Sequence, residues 1–199
     1  MIQDKRKNVL KKVEALLHAY KQGALGDCTM PEDEHPDWSL VGDRRKLAYY
    51  TFPMCLNYQR NSYKLWEAAK STFECEETRK CFSEESVATM SEDELRSKLL
   101  RFKLALQPNK HIDTWYRVAE TISREWGDVQ GLLDYCDNDF VELRRIVQKE
   151  HKKGFPYLSG PKIFHYWCFI LEQYCGIKFT NAEQIEIGIL RPVLAGNQL

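Results

Sequence analysis

Gly154-Phe155-Pro156-Tyr157-Leu158-Ser159-Gly160-Pro161-Lys162 is a proline- and glycine-rich turn set between two helical patterns. Ahead of it Phe140, Leu143, Ile146 and Val147 recur at three- and four-residue spacing. Behind it the stretch 163–174 is apolar nearly all round, the pattern of a helix buried on every side. Pro161 suits the first turn of that second helix: its ring presets φ, and the N–H it lacks is one that a helix start leaves unbonded. Two helices joined by a short turn, one of them wholly apolar, predict a helical core.

The same spacing continues in both directions. Val9, Leu10, Val13, Leu16, Leu17 and Tyr20 predict a first helix, opened by Asp4 and closed by Gly23 and Gly26. Asp43 opens a second with Leu47, Tyr50, Thr51 and Met54, where Pro53 predicts a kink. Asn61 precedes Leu65, Trp66, Ala69 and Phe73. Ser91-Glu92-Asp93-Glu94 is a capping box before Leu95, Leu99 and Leu100. Pro108 ends that segment, and Ile112, Trp115, Tyr116, Ala119 and Ile122 mark a long helix that stops near Gly127. Leu132, Leu133 and Tyr135 mark a shorter one, and Asn138 is placed to cap the helix of Phe140. Ile185, Ile187, Ile189 and Leu190 fit a short helix or an extended piece. No segment alternates as a strand does, so the fold class is all-α. Residues 23–42, with Pro31, Pro36 and five acids, read as a connection between two lobes.

The chain of 199 residues carries seven cysteines, Cys28, Cys55, Cys75, Cys81, Cys136, Cys168 and Cys175. Their number is odd and none forms a Cys-x-x-Cys pair, so the expectation is a reduced, cytoplasmic protein without disulfides, zinc or an iron–sulfur cluster. His18, His35, His111, His151 and His165 show no metal-ligand spacing. No run of eighteen apolar residues and no secretory leader is apparent, which argues against a membrane span. Net charge is zero, yet residues 141–165 hold six Lys/Arg against two acids, and residues 74–94 hold eight acids against two bases. Such separation suits either two solvated helix faces or a phosphate-binding face with an acidic back.

From about Lys46 to Gly176 the order of features resembles the helix-hairpin-helix superfamily of base-excision DNA glycosylases, in its endonuclease III and 8-oxoguanine glycosylase branches. Three places carry the resemblance. Tyr50-Thr51-Phe52-Pro53-Met54-Cys55-Leu56-Asn57-Tyr58-Gln59 is similar to the family's apolar helix that ends in Gln or Asn at the DNA-facing end. Leu104-Ala105-Leu106-Gln107-Pro108-Asn109-Lys110 is similar to its turn before a helix with a basic start. Leu158-Ser159-Gly160-Pro161-Lys162 resembles the hairpin that reads Leu-Pro-Gly-Val-Gly-x-Lys in typical members. Two departures stand out: aligned on Gly160 and Lys162, Leu158 replaces the first hairpin glycine, and Gly188 stands where the family has a catalytic Asp.

The resemblance implies a two-lobe glycosylase-like fold, with a helical barrel over 42–176 and a second lobe built from 1–41 and 177–199. It implies a monomer that removes an oxidised or otherwise altered base from double-stranded DNA, with or without AP-lyase activity, in the cytoplasm or nucleus and without cofactor or membrane. Lys162 becomes the nucleophile, and Phe155, Tyr157, Phe164 and Tyr166 the apolar surroundings that keep its amine unprotonated. Glu186 is the nearest substitute for the missing Asp, with Glu183 behind it. Gln59 and Asn57 would fill the gap left by the extruded base. Lys110, Lys152, Lys153, Ser159 and Gly160 would hold phosphate, and Tyr58, Trp115, Phe155 and Trp167 would line a base pocket. The competing expectations are a non-catalytic nucleic-acid-binding module of the same fold and a helical protein-interaction scaffold.

Overall fold

The computed structural model describes residues 2–24, 26, 29–40 and 43–186. Ten α-helices run through them: α1 (Ile2–Lys21), α2 (Asp43–Thr51), α3 (Ser62–Glu74), α4 (Glu76–Arg79), α5 (Glu84–Thr89), α6 (Glu92–Arg101), α7 (Pro108–Trp126), α8 (Val129–Tyr135), α9 (Phe140–Arg145) and α10 (Pro161–Cys175). Among the described residues there is no strand, only one isolated bridge between Asp139 and Thr180. The all-α expectation holds. Two compact units are formed, Met1–Asp33 and Glu34–Leu199.

The first unit is dominated by α1. Its apolar stripe is present as spaced, but it is not core: Val9, Leu10, Val13, Leu16, Leu17 and Tyr20 are all 45–63% exposed. Periodicity sets which side of a helix is apolar, and only a partner makes that side an interior.

The second unit holds a continuous core. Ile112, Trp115, Val118, Ala119 and Ile122 bury one side of α7, and Phe164, Trp167, Cys168, Ile170 and Leu171 bury most of α10. Tyr49, Tyr50, Trp66, Phe73 and Phe82 pack edge-to-face and tilted against one another, the arrangement that ring quadrupoles favour. The compact unit starts at Glu34 rather than near residue 42, and it does not stop at 176. Phe179 is buried in it, and Phe140 N–H donates to the Thr180 carbonyl while Thr180 N–H donates to that of Asn138.

Side-chain caps end the helices locally. Asn61, Ser91 and Asp128 accept from the N–H of Lys64, Glu94 and Gly131 at 3.1, 3.2 and 2.8 Å. Asp139, not Asn138, caps α9 by accepting from Glu142 N–H at 2.8 Å, because Asn138 takes a left-handed φ of 51° in the turn before it. Pro53 does not kink α2: that helix stops at Thr51 and a 3₁₀ turn covers Pro53–Leu56.

After α9 the helix widens to a π turn over Ile146–Glu150, with His151 N–H reaching the Ile146 carbonyl at 2.8 Å. A 3₁₀ turn, Lys152–Gly154, then brings the backbone against α7 so closely that a Cβ on Gly154 would lie 2.4 Å from Thr121 Oγ1. Gly154→Ala is expected to destabilise the unit by about 1–3 kcal/mol through this overlap. Urea unfolding measures it, and Thr121→Ala in the same chain should restore part of the loss. An unchanged midpoint would mean that the hairpin is not seated on α7 in this way.

Candidate nucleic-acid interface

The hairpin region reaches two clusters of side chains, one through Tyr157 and one through α10. Tyr157 has a left-handed φ of 61°, rare for a bulky residue, and its ring packs on Tyr58 at 5.2 Å between centroids. Lys110 Nζ stands 5.0 Å from the centre of the Tyr157 ring, within cation–π range. Gln59, next to Tyr58, also has positive φ, 51°, and is exposed. Arg60 ties this loop to the turn before α7 by donating to the Leu104 carbonyl at 2.7 Å and to that of Lys103 at 3.4 Å. Lys103 is a third residue in the left-handed region, at 59°. The three segments that are distant in sequence, around residues 58, 104–110 and 157, therefore meet on one face.

That face is cationic and partly aromatic. His111, whose Nδ1 accepts from Leu106 N–H at 3.1 Å, has its pKa lowered by burial and then by the nearby charges of Arg60 and Lys110. Tyr58 is 50% exposed, so one ring of the pair is open to a planar partner. Asn57 is turned inward instead: its Oδ1 accepts from Ser62 Oγ at 2.9 Å, which makes it a loop brace.

The second cluster lies along α10. Gly160 is the N-cap, and no side chain caps this helix, unlike α3, α6, α8 and α9. Lys162 follows Pro161 in the first turn and is exposed. The apolar enclosure expected around it is absent, because Phe155 and Phe164 point into the core with no exposure. One turn further, His165 Nδ1 accepts a hydrogen bond from Glu186 N–H at 2.7 Å. Residues three apart on a helix are neighbours, about 5–6 Å between Cβ atoms, so the Glu186 backbone is anchored one turn from Lys162. The Glu186 side chain is exposed. His165 has its pKa lowered by burial, with Glu186 opposing and Arg144 assisting, so the ring is neutral near pH 7 and carries its proton on Nε2. Nothing in the spacing of His165 marked it, since its role depends on a residue 21 positions away.

Three expected pocket residues belong to the core. Trp115 donates from Nε1 to the Cys81 carbonyl at 2.9 Å, and Trp167 donates to Thr51 Oγ1 at 3.0 Å; both, with Phe155, have no exposed surface. The expected first hairpin glycine also differs in position. Leu158 is buried, and Tyr157 one residue earlier takes the left-handed conformation. Gly160 has φ −68°, open to any residue, but a Cβ there would lie 3.0 Å from the Tyr157 carbonyl oxygen. The N–H groups of Ser159 and Gly160 are spent inside the turn, on the carbonyls of Phe155 and Tyr157 at 2.9 Å each. Ser159 is therefore not a free backbone donor, and phosphate contact would fall to the N–H groups of Lys162 and Ile163 at the uncapped start of α10.

Lys152 and Lys153 are exposed on their 3₁₀ turn. Of the two acids in residues 141–165, Glu142 and Glu150 both pair with Arg145. The other cations of that segment have no carboxylate partner among the described residues. Gly188 and the rest of 187–199 lie outside the described residues, as does any carboxylate-replacing role there. Among the described residues no cluster of three His, Cys, Asp or Glu is arranged to hold a metal ion.

A separate cleft of about 580 Å³ opens beside the start of α5, lined by Arg44, Arg45, Arg79, Lys80, Glu84 and Asp128 among others. Glu84 is buried there, its carboxylate accepting from Val129 N–H at 3.3 Å at the start of α8. Burial pushes its carboxyl up to about 7, partly offset by hydrogen bonds from its own and the Val129 N–H groups and reinforced by Asp128.

No family model matches this chain, and no curated protein or solved structure matches it.

Proposed function

We propose that the protein is a DNA N-glycosylase of base-excision repair, of the two-lobe helix-hairpin-helix kind, acting on a damaged base with Lys162 as the attacking amine. The anchoring of Glu186 by His165, one helical turn from Lys162, is the observation that carries this reading. It sets an amine, a neutral imidazole and a carboxylate-bearing residue beside the uncapped start of a 15-residue helix. In this chemistry the Lys162 nitrogen attacks C1′ of the nucleotide, the bond from C1′ to the base breaks, and the base leaves with the electron pair and takes up a proton. The nitrogen then loses a proton, its electron pair forms the C=N bond as the bond from C1′ to the ring oxygen breaks, and that oxygen takes up a proton. Glu186 stabilises the positive charge that builds on the sugar and accepts a proton from the amine, while His165, whose Nδ1 is taken by the Glu186 N–H, positions that residue.

Binding comes from the rest of the face. Phosphate meets Lys110, Lys152, Lys153 and the first N–H groups of α10, while Gln59 and Tyr58 occupy the gap beside the extruded nucleotide. Strained positions such as the exposed Gln59 and the half-buried Tyr157 are the kind that persist where a site needs them. Charge reversal at Lys152 and Lys153 should weaken duplex binding and lower the slope of its salt dependence by about two charges' worth of counterion release. Affinity measured across a salt series checks this, and an unchanged slope would move the phosphate contacts elsewhere.

Borohydride trapping and base release across duplexes with oxidised, deaminated and alkylated bases test the function. A covalent adduct or released base with at least one lesion is expected. Binding with neither product from any lesion would favour the second reading, a non-catalytic nucleic-acid-binding module, which the exposure of Lys162 supports.

A further inference from the structure

α1 presents a basic amphipathic helix whose apolar side is uncovered. Leu16, Val9, Tyr20, Val13, Leu17 and Leu10 fall within about 120° of arc at 3.6 residues per turn, and each is at least 45% exposed. Six apolar side chains aligned over roughly 17 Å of helix form the kind of patch that marks an interaction site rather than ordinary surface. The stripe is wider than the two-position seam of a two-stranded coil, so a single facing helix would leave Leu10 or Leu17 uncovered.

Charge selects among the possible covers. Between residues 4 and 18 the helix carries Lys5, Arg6, Lys7, Lys11 and Lys12 against Asp4 and Glu14. Lys5 and Lys12 border one edge of the apolar arc, and Arg6 lies within it, one turn ahead of Val9 and Leu10. Asp4 and Glu14 lie outside the arc, so a second copy of α1 would bring no carboxylate to Arg6 in the seam. A protein groove would have to bury that guanidinium against a matched acid. An anionic lipid surface imposes no such demand: the apolar side sinks to the acyl boundary, and Arg6, Lys5 and Lys12 extend their stems to the phosphates. No helix among the described residues is long and apolar enough to cross a membrane, so the contact is one of lying on the surface.

We propose that α1 is an interfacial helix that binds the protein to anionic lipid. This is independent of the DNA-processing reading, which assigns no role to any residue of α1. The full chain is mixed with vesicles of phosphatidylcholine alone and with vesicles in which about a third of the lipid is phosphatidylserine, and bound protein is measured by sedimentation. At low salt at least tenfold tighter association with the anionic vesicles is expected, falling as salt screens the lysines. Leu10→Glu with Leu17→Glu should abolish association, Lys5→Glu with Lys12→Glu should lower it at least tenfold, and neither pair should alter duplex binding. Lys152→Glu with Lys153→Glu should leave it unchanged; loss in that variant would assign the lipid contact to the hairpin and overturn the proposal. Failure of the native chain to bind anionic vesicles would overturn it too, whether the chain is then monomeric or forms a dimer that Leu10→Glu with Leu17→Glu disperses.

Discussion

Lys162→Gln is expected to abolish the borohydride-trapped adduct with damaged duplex while leaving the fold and duplex affinity nearly unchanged. The side chain is exposed, so its replacement removes an amine without opening a cavity. The unchanged fold is what separates loss of a nucleophile from loss of structure. The reaction should also fade on acidification, through His165. In the folded chain burial lowers the pKa of this ring below its ordinary value, so the neutral form is favoured by folding. That contribution is fully present above about pH 6.5, the ordinary value for histidine, and is lost as pH falls through the lowered folded value. Protonation converts Nδ1 from acceptor to donor, and the Glu186 N–H at 2.7 Å loses its partner. His165→Asn, which retains an acceptor that does not titrate in this range, should flatten the acid limb of a pH–rate profile. A Lys162→Gln protein that still forms the adduct would exclude this lysine as the nucleophile.

Glu84 provides the largest expected dependence of stability on pH. Its carboxyl is moved from 4.5 in the open chain to about 7 in the folded unit, chiefly by burial. The folded state therefore keeps a proton that the unfolded chain gives up between those two values. Stability from this group is fully present below about pH 4.5 and declines as pH rises, levelling off above the folded value; a displacement of this size is worth on the order of 3 kcal/mol. Glu84→Gln retains a carbonyl oxygen for the Val129 N–H at 3.3 Å and cannot ionise. The variant should match the native protein near pH 4.5 in urea unfolding and exceed it by up to about 3 kcal/mol near pH 8. Parallel profiles for the two proteins across that range would show that the carboxyl is hydrated in the folded unit. Glu84→Ala should lower stability below about pH 4.5, where the carboxyl is protonated in both states, since it strips an acceptor from the start of α8.

Local order in this protein is written locally. The stripe Ile112, Trp115, Ala119 and Ile122 and the caps at Asn61 and Ser91 act within a turn or two of the chain, where 3.6-residue geometry and one side-chain oxygen suffice. The all-α class and the place of the turn before α10 follow from such signals. Whether an apolar side becomes interior is a different matter, because it depends on what covers it. The stripes of α1 and α7 are alike in spacing, yet Leu10 is 63% exposed and Trp115 is wholly buried. The same physics moves Trp115, Trp167 and Phe155 from candidate base pocket to core, and puts Lys162 in solvent where adjacent aromatics had suggested enclosure. Residues two apart on a helix diverge by about 200°, so closeness in sequence to Phe164 gives no shelter.

The site itself belongs to tertiary structure. Tyr58 and Tyr157 are 99 positions apart and meet because α2, α7 and the hairpin converge, and Lys110 joins them from the start of α7. His165 acquires its partner only when the chain after α10 returns to lay Glu186 across it. Contacts of that span are selected by the packing of the whole unit rather than by any short pattern. The sequence by itself determined the helical class, the longer helices and the caps that act within one turn, whereas tertiary packing alone decided which side chains share a face, which are drowned in the core and which remain in water.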